Sequence, residues 1–159
     1  MVRIGKLTDY AIVLSTQMAQ RPEDLHSVRG LSESTKIPSP TVSKVLKQLV
    51  RAGIFSSERG VNGGYRMNGM PAEVSIAEII EAMEGPIALT ECSIPSENPC
   101  DRQSDGGAHT NWALINTAVF KALSTVSLAD MNHSESAKLV PLQLVKHREP
   151  LEPAAVESE

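Results

Sequence analysis

The stretch TKIPSPTVSKVLKQLVRAG, residues 35–53, constrains the fold more than any other part of this chain. Ser39 is a natural N-cap and Pro40 a natural first-turn residue, so a helix is predicted to begin here. One face of this helix is apolar and carries Val42, Val45, Leu46 and Leu49. The opposite face carries hydroxyl, amide and basic side chains: Thr41, Ser43, Lys44, Lys47, Gln48 and Arg51. Such a helix must bury its first face, and its second face is free for a partner.

Two further helices are predicted before this one. Residues 7–20 place five apolar or aromatic side chains at helical spacing, namely Leu7, Tyr10, Ala11, Leu14 and Met18. Ser27 is placed to cap a short helix over residues 28–35. Two short helices joined by a tight turn, the second with a basic face, indicate a helix-turn-helix with its recognition helix.

A β-hairpin is predicted directly after the recognition helix. Extended runs at residues 54–59 and 64–68 flank the segment GVNGG, whose glycines and asparagine supply the positive φ angles of a tight turn. Ser75 and Glu78 then form a capping box for a further helix, whose inward residues are Ile76, Ile79, Ile80 and Met83. The predicted fold class is mainly α with a small β-hairpin wing: a winged helix-turn-helix domain followed by a long dimerisation helix.

The charge distribution favours a nucleic-acid partner although the net charge of the chain is −4. Six basic residues and one acid lie between Lys36 and Arg66, which gives this block a charge of +5 and leaves −9 for the rest. A local basic field attracts phosphates, and the acidic remainder discourages indiscriminate binding. A solvated charged face is the alternative interpretation of the same block.

The C-terminal half predicts an extension rather than a second core, since 159 residues with 41% hydrophobic content support one ordinary core. Residues 109–125 repeat a helical stripe that suits pairing with a second subunit: Trp112, Ile115, Val119 and Leu123. Prolines and glutamates beyond residue 134 predict a disordered acidic tail. The boundaries expected are 1–88 for the DNA-binding domain, 89–109 for a loop, 110–132 for the dimerisation helix and 133–159 for the tail.

The only two cysteines, Cys92 and Cys100, lie in a loop rich in Pro, Ser and Asn. The chain has no apolar run of membrane-spanning length and no signal-peptide pattern, so a cytoplasmic location without a membrane partner is expected. Thiols stay reduced there, which disfavours a disulfide and leaves metal ligands or inert thiols. Either cysteine with His109 is the only candidate nucleophile–base pair, and no phosphate loop or metalloprotease motif accompanies it. We therefore expect neither an enzyme nor a small-molecule substrate.

Five segments together resemble the IscR/NsrR family of winged-helix transcription regulators, and within it the regulators of the Suf iron–sulfur cluster assembly system. They are RIGKLTDYAIVL, IPSPTVSKVLKQLVRAG, ERGVNGGYRM, VSIAEIIEAMEG and the loop with two cysteines and a histidine that runs on to VSLADM. The resemblance covers residues 1–132. It implies a homodimer that represses genes of iron–sulfur cluster biogenesis at a duplex DNA operator, and senses cluster status through an iron–sulfur cluster, 2Fe–2S rather than 4Fe–4S.

The resemblance also assigns ligands to that cluster. Cys92 and Cys100 match the first and second cluster cysteines, and His109 matches the histidine after the third. Gly106 stands where the third cysteine is expected. Asp9 matches a position from which some family members donate a carboxylate across the dimer, so that four ligands remain available. Because of Gly106, a cofactor-free repressor and a zinc-binding structural variant remain alternatives. Helix capping by His109 and a favourable helix-dipole charge at Asp9 are further alternatives.

Seven side chains are predicted to contact DNA. Ser39, Thr41 and Ser43 lie near the start of the recognition helix, where short hydroxyl side chains approach base edges. Lys44, Lys47 and Arg51 reach phosphates from the same face, and Arg59 at the wing tip enters a minor groove, whose negative potential attracts guanidinium.

Overall fold

The structure, a computed structural model, describes residues 4–61, 63–89 and 108–132. Its elements in chain order are α1 (Lys6–Ala19), α2 (Val28–Thr35), α3 (Ser39–Arg51), β1 (Phe55–Glu58), β2 (Gly64–Met67), α4 (Ile76–Glu84), α5 (Ala108–Ser124) and α6 (Leu128–Asn132). The prediction of a mainly α fold with one antiparallel hairpin is confirmed. The loop cysteines, position 106 and the predicted acidic tail lie outside the described residues.

Helices α1 to α4, the inner face of the hairpin and α6 share one apolar core. The apolar side chains of α3 that were predicted to face inward are all fully buried in it. Phe55 and Met67, paired across the hairpin, are 1% and 5% exposed. Since side chains alternate along a strand, this pair places Ser56 and Arg66 on the outer face of the hairpin.

The turn between α2 and α3 is held by local hydrogen bonds. Ser32 donates its hydroxyl hydrogen to the Ile37 carbonyl oxygen at 2.7 Å, and Ile37 itself is buried. Lys36 takes a left-handed conformation with φ 60°, which ends α2 and redirects the chain into α3. The orientation of α3 relative to α2 is therefore fixed by this turn.

The two predicted caps of the helix-turn-helix have different outcomes. Ser27 caps α2 as expected, because its hydroxyl accepts from the Gly30 N–H at 3.0 Å. The cap of α3 is one residue earlier than predicted: Pro38 is the N-cap and Ser39 is already helical, with no side-chain cap. Pro38 is able to fill this position because its carbonyl accepts the first bonds of the helix, from Thr41 at 2.8 Å and Val42 at 3.0 Å.

The capping box of α4 is present, with Ser75 and Glu78 bonded reciprocally. The C-terminal segment differs from a single long helix. Helix α5 ends at Ser124, and a separate helix, α6, begins at Leu128. Ser127 caps α6, because its hydroxyl oxygen accepts a hydrogen bond from the Asp130 N–H at 3.2 Å. Leu128 is fully buried, so α6 returns to the core and adds a contact that the apolar stripe of α5 alone did not predict.

Candidate nucleic-acid interface

The outward face of α3 follows from the burial of its inward face. With the apolar side chains at 0% exposure, the polar positions point to solvent: Ser39, Lys44, Lys47 and Arg51 are exposed, and Thr41, Ser43 and Gln48 are half-buried. All six predicted contact residues of α3 therefore lie on or beside one accessible surface. Pro40, Ser43, Lys44 and Lys47 line a shallow cavity of about 340 Å³ on it, together with Gln48 and Arg51.

Most of the basic charge on this side of the molecule is not compensated. Of the six basic residues between Lys36 and Arg66, only Arg66 has an ion pair within the described residues, to Glu58 at 3.1 Å. Outside that block, Arg29 is also paired, and its hydrogen bond to Glu33 at 2.9 Å together with the charge of that carboxylate raises the pKa of Arg29. Unpaired cations on a folded surface are available to an external anion, whereas the guanidinium of Arg66 already contacts a carboxylate of the opposite strand.

The wing is fastened to the helix-turn-helix at its base. His26, in the loop before α2, forms a two-way backbone bridge with Tyr65, with N···O distances of 2.8 and 2.9 Å. Gly64 is required beside this bridge because a Cβ atom there would lie 2.8 Å from the His26 carbonyl oxygen. The wing base therefore has a fixed position relative to α2 and α3.

A cleft of about 610 Å³ separates the wing from the C-terminal half of α3. Three of the unpaired cations line it, namely Lys47, Arg51 and Arg59. Ser27, the N-cap of α2, and Val28, its first residue, also line this cleft. Sequence reasoning identified Ser27 as a cap but missed its place in this cleft. No local signal predicts that contact, since it depends on the backbone bridge between His26 and Tyr65, which are far apart in sequence.

Of the four predicted metal ligands, Asp9 is the one whose side chain lies within the described part of the chain. Asp9 lies in the first turn of α1 and is exposed, without an ion pair among residues 4–61, 63–89 and 108–132. His109 lies in the first turn of α5, and its side chain is outside the described set, as are Cys92 and Cys100. Within the described part of the chain, no group of three potential metal-binding side chains occurs.

The model of the Rrf2 family, described as iron-dependent transcriptional regulators, matches residues 4–134. The chain belongs to the Rrf2 family. The Synechocystis protein slr0846, named as an HTH-type transcriptional regulator, is 32% identical to it over 134 residues, which are 82% of this chain and 87% of that protein. The regulator NsrR of Bacillus subtilis is 28% identical over 100 residues, covering 62% of this chain and 68% of NsrR.

Solved structures agree with this Rrf2 fold. CymR of B. subtilis superimposes with a TM-score of 0.66 at 24% identity, covering 83% of this chain and 97% of CymR. IscR of T. potens gives a TM-score of 0.64 at 21% identity, covering 84% of this chain and 88% of IscR. The resemblance to IscR/NsrR regulators and the winged-helix fold are thus confirmed. The Rrf2 protein is a DNA-binding transcriptional regulator and not an enzyme. None of its described helices is long and apolar enough to cross a bilayer.

Proposed function

We propose that this Rrf2 regulator is a homodimeric repressor of iron–sulfur cluster biogenesis genes that binds a duplex operator through α3 and the wing. The observation that carries the DNA-binding face is the set of unpaired cations on α3 and around the wing cleft. With α3 in a major groove, the cleft leaves space for a sugar–phosphate strand to pass between α3 and the wing. Lys47 and Arg51 would then contact phosphates, and Arg59 would enter the adjacent minor groove.

Thr41 and Ser43 are the side chains proposed to read bases. Both are short and half-buried in the first turns of α3, so they reach only a base edge that lies close to the helix. Lys44, one residue further along, is exposed and reaches the phosphate backbone instead. Sequence preference and sequence-independent affinity thus belong to different residues on the same helix.

Dimerisation is supported by the exposed apolar side chains of α5. Trp112, Leu114, Ile115 and Phe120 are 40–67% exposed in the single chain. Several large apolar side chains on one helix are typical of a surface that another subunit covers. In a two-fold dimer, the two α3 helices would enter major grooves about 34 Å apart on a roughly palindromic site.

The four proposed ligands are of chemical types that can bind an iron–sulfur cluster. Cys92, Cys100, His109 and Asp9 supply two thiolates, an imidazole and a carboxylate, and mixed sulfur and nitrogen ligation of a 2Fe–2S cluster is an established arrangement. The one described donor, Asp9, is exposed and unpaired as such a role requires. A cluster bound there would make DNA affinity depend on iron and redox state. Gly106 removes one thiolate, which favours a weakly held cluster or a cofactor-free repressor.

Salt-titrated binding of Lys44→Ala and Lys47→Ala tests the DNA face. Each should weaken binding to every duplex and reduce the slope of log affinity against log salt by about 0.9, the value of one phosphate contact. Thr41→Ala and Ser43→Ala should instead change the sequences enriched from a random duplex pool. Helix α5 offers a matched control, because Lys121→Gln removes an exposed cation that lies away from α3 and the cleft and should leave the slope unchanged. Unchanged slopes for both lysines would show that α3 does not dock through this face.

Iron and sulfide content tests the cluster. The chain as it stands, Gly106→Cys and Asp9→Ala would be reconstituted anaerobically and measured together with their DNA affinity. A site completed by a mixed ligand set loses iron in Asp9→Ala and gains little in Gly106→Cys, whereas a site that lacks only the third thiolate gains iron in Gly106→Cys. Iron near zero in all three proteins would exclude the cluster and support a cofactor-free repressor. Bound zinc would support the structural zinc site instead.

A further inference from the structure

Val61 lies at the tip of the wing with its side chain fully exposed, at 105% of the reference exposure. No other large apolar side chain in the described residues exceeds 67%. Single exposed apolar residues are common on protein surfaces, so exposure alone does not assign a role. The position of Val61 is the informative fact, because it is the foremost apolar group on an element proposed to enter a DNA groove.

The tip is narrow because its backbone is compressed by glycines. Gly60 has φ 125°, a conformation that other residues rarely adopt, and the Gly63 N–H donates to the Gly60 carbonyl oxygen at 3.0 Å. A Cβ atom at Gly63 would lie 2.4 Å from the Glu58 carbonyl oxygen. Among the described residues from 59 to 64, only Arg59 and Val61 carry a side chain. Apart from Asn62, which is outside the described residues, the side chains of the tip are one guanidinium and one isopropyl group on a thin turn, a shape compatible with a minor groove about 6 Å wide.

The floor of a minor groove distinguishes A·T from G·C by one group. A G·C pair adds the guanine N2 amino group, which protrudes into the groove and needs a hydrogen-bond acceptor, whereas an A·T pair exposes only the acceptors adenine N3 and thymine O2. An isopropyl group cannot accept a hydrogen bond, so it would desolvate the amino group without compensation. A·T-rich grooves are also narrower and more negative, which favours the neighbouring Arg59.

We propose that Val61 is a specificity-determining residue, which makes this regulator prefer A·T over G·C at the base pairs that the wing covers. The proposal rests on the proposed function in one respect, namely that α3 and the wing face the DNA. It adds a second source of sequence preference that is independent of Thr41 and Ser43. The preference is read in the minor groove and acts through an apolar contact.

Inosine separates minor-groove reading from every other source of preference. An I·C pair has the major-groove edge of G·C but lacks the N2 amino group, so its minor groove resembles that of A·T. The probes are three versions of the duplex that the wild-type protein enriches from a random pool, with A·T, G·C or I·C at the base pairs that hydroxyl-radical footprinting assigns to the wing. The wild-type protein should bind the A·T and I·C duplexes equally and the G·C duplex about fivefold more weakly, the lower end of the cost of one wrong base pair.

The Val61→Ser variant should bind all three duplexes within about twofold of one another, because its hydroxyl accepts a hydrogen bond from the guanine amino group. The Val61→Ile variant should retain the wild-type order. Val61 makes no buried contact, so both variants should unfold at the wild-type temperature. A G·C duplex bound as tightly as A·T by the wild-type protein would overturn the proposal, as would an I·C duplex that behaves like G·C.

The Arg59→Gln variant distinguishes this failure from a failure of the docking face. If Arg59→Gln weakens binding to all three duplexes while the wild-type protein shows no preference among them, the wing docks but Val61 does not read the groove. If Arg59→Gln binds all three duplexes as the wild-type protein does, the wing lies outside the groove and the proposed docking geometry is itself wrong.

Discussion

Helices α3 and α5 both carry an apolar stripe in sequence, but these apolar side chains are buried on α3 and largely exposed on α5. Four apolar side chains of α3 are completely buried in the core of their own chain, namely Val42, Val45, Leu46 and Leu49. On α5, Leu123 packs against that core and Asn116 accepts from the Leu89 N–H at 2.9 Å, while four large apolar side chains remain 40–67% exposed. An apolar stripe thus shows that a helix face will be covered, but not whether its own chain or another molecule covers it.

The same contrast holds for the charged residues. The last turn of each helix carries one basic residue, Arg51 in α3 and Lys121 in α5. Arg51 lines the wing cleft together with Lys47 and Arg59, whereas Lys121 lies on the exposed surface of α5, away from that cleft. A basic residue in the last turn of a helix interacts favourably with the helix dipole. It also contributes to an anion-binding surface only where the tertiary structure brings other cations beside it.

The largest expected effect is on stability and belongs to α3. Leu46→Ala removes a completely buried side chain and should lower the free energy of unfolding by about 2–5 kcal/mol, since both the apolar transfer and the cavity contribute. Leu114→Ala on α5, where the side chain is 67% exposed, is the matched control and should change it by about 0.5 kcal/mol or less at concentrations where the chain is monomeric. Urea denaturation measures both. Equal losses would show that α5 packs against its own chain as tightly as α3 does.

The next effect concerns subunit association and belongs to α5. Ile115→Glu places a charge on a half-exposed apolar position and should raise the dimer dissociation constant at least tenfold, because a carboxylate would be desolvated in the interface. Sedimentation velocity over a range of protein concentrations measures the dissociation constants of the variant and of the wild-type chain. A dimer equally stable in Ile115→Glu and the wild-type chain would remove this part of α5 from the interface.

A smaller effect is expected on DNA affinity. Arg51→Gln and Lys121→Gln each remove one cation from the last turn of a helix, so their effects on helix stability should be similar. Only Arg51→Gln should weaken DNA binding, by about fivefold at physiological salt, which corresponds to one lost phosphate contact. Fluorescence anisotropy with a random-sequence duplex measures this difference. Equal weakening by both substitutions would mean that α5 also lies against DNA.

The smallest expected effect is a difference in unfolding free energy between substitutions at Ser27 and Ser39, the serines at the starts of α2 and α3. Ser27→Ala should lower the free energy of unfolding by about 1 kcal/mol, because its hydroxyl satisfies the Gly30 N–H. Ser39→Ala should change it by less than about 0.5 kcal/mol, because Ser39 is already inside α3 and caps nothing. Thermal unfolding followed by circular dichroism resolves the two. A loss of about 1 kcal/mol in Ser39→Ala would mean that this serine does act as the cap.

Much of the fold could be predicted because its signals are local. The extents of α1, α2 and the hairpin strands agree with the expected ranges to within one residue at each end, as does α5 with the apolar stripe at residues 109–125. The dimerisation helix expected over residues 110–132 is instead two helices, because α5 ends at Ser124 and α6 begins at Leu128. The capping box at Ser75 and Glu78 is a contact between near neighbours in sequence, so its motif suffices. The cap of α3 was misplaced by one residue because Pro38 and Ser39 are both acceptable at a helix start, and only the backbone geometry distinguishes them.

The sequence by itself determined helices α1 to α5, the hairpin and the face of α3 that is basic, because each depends on residues close together along the chain. Only the tertiary structure decided which cations remain free: Arg66 and Arg59 belong to the same basic block, yet Arg66 is paired across the hairpin with Glu58 and Arg59 lines the cleft. The same is true of Ser27 beside the wing and of Leu128 in the core. These contacts join residues far apart in sequence, and their free energies depend on distances that exist only after the elements have packed.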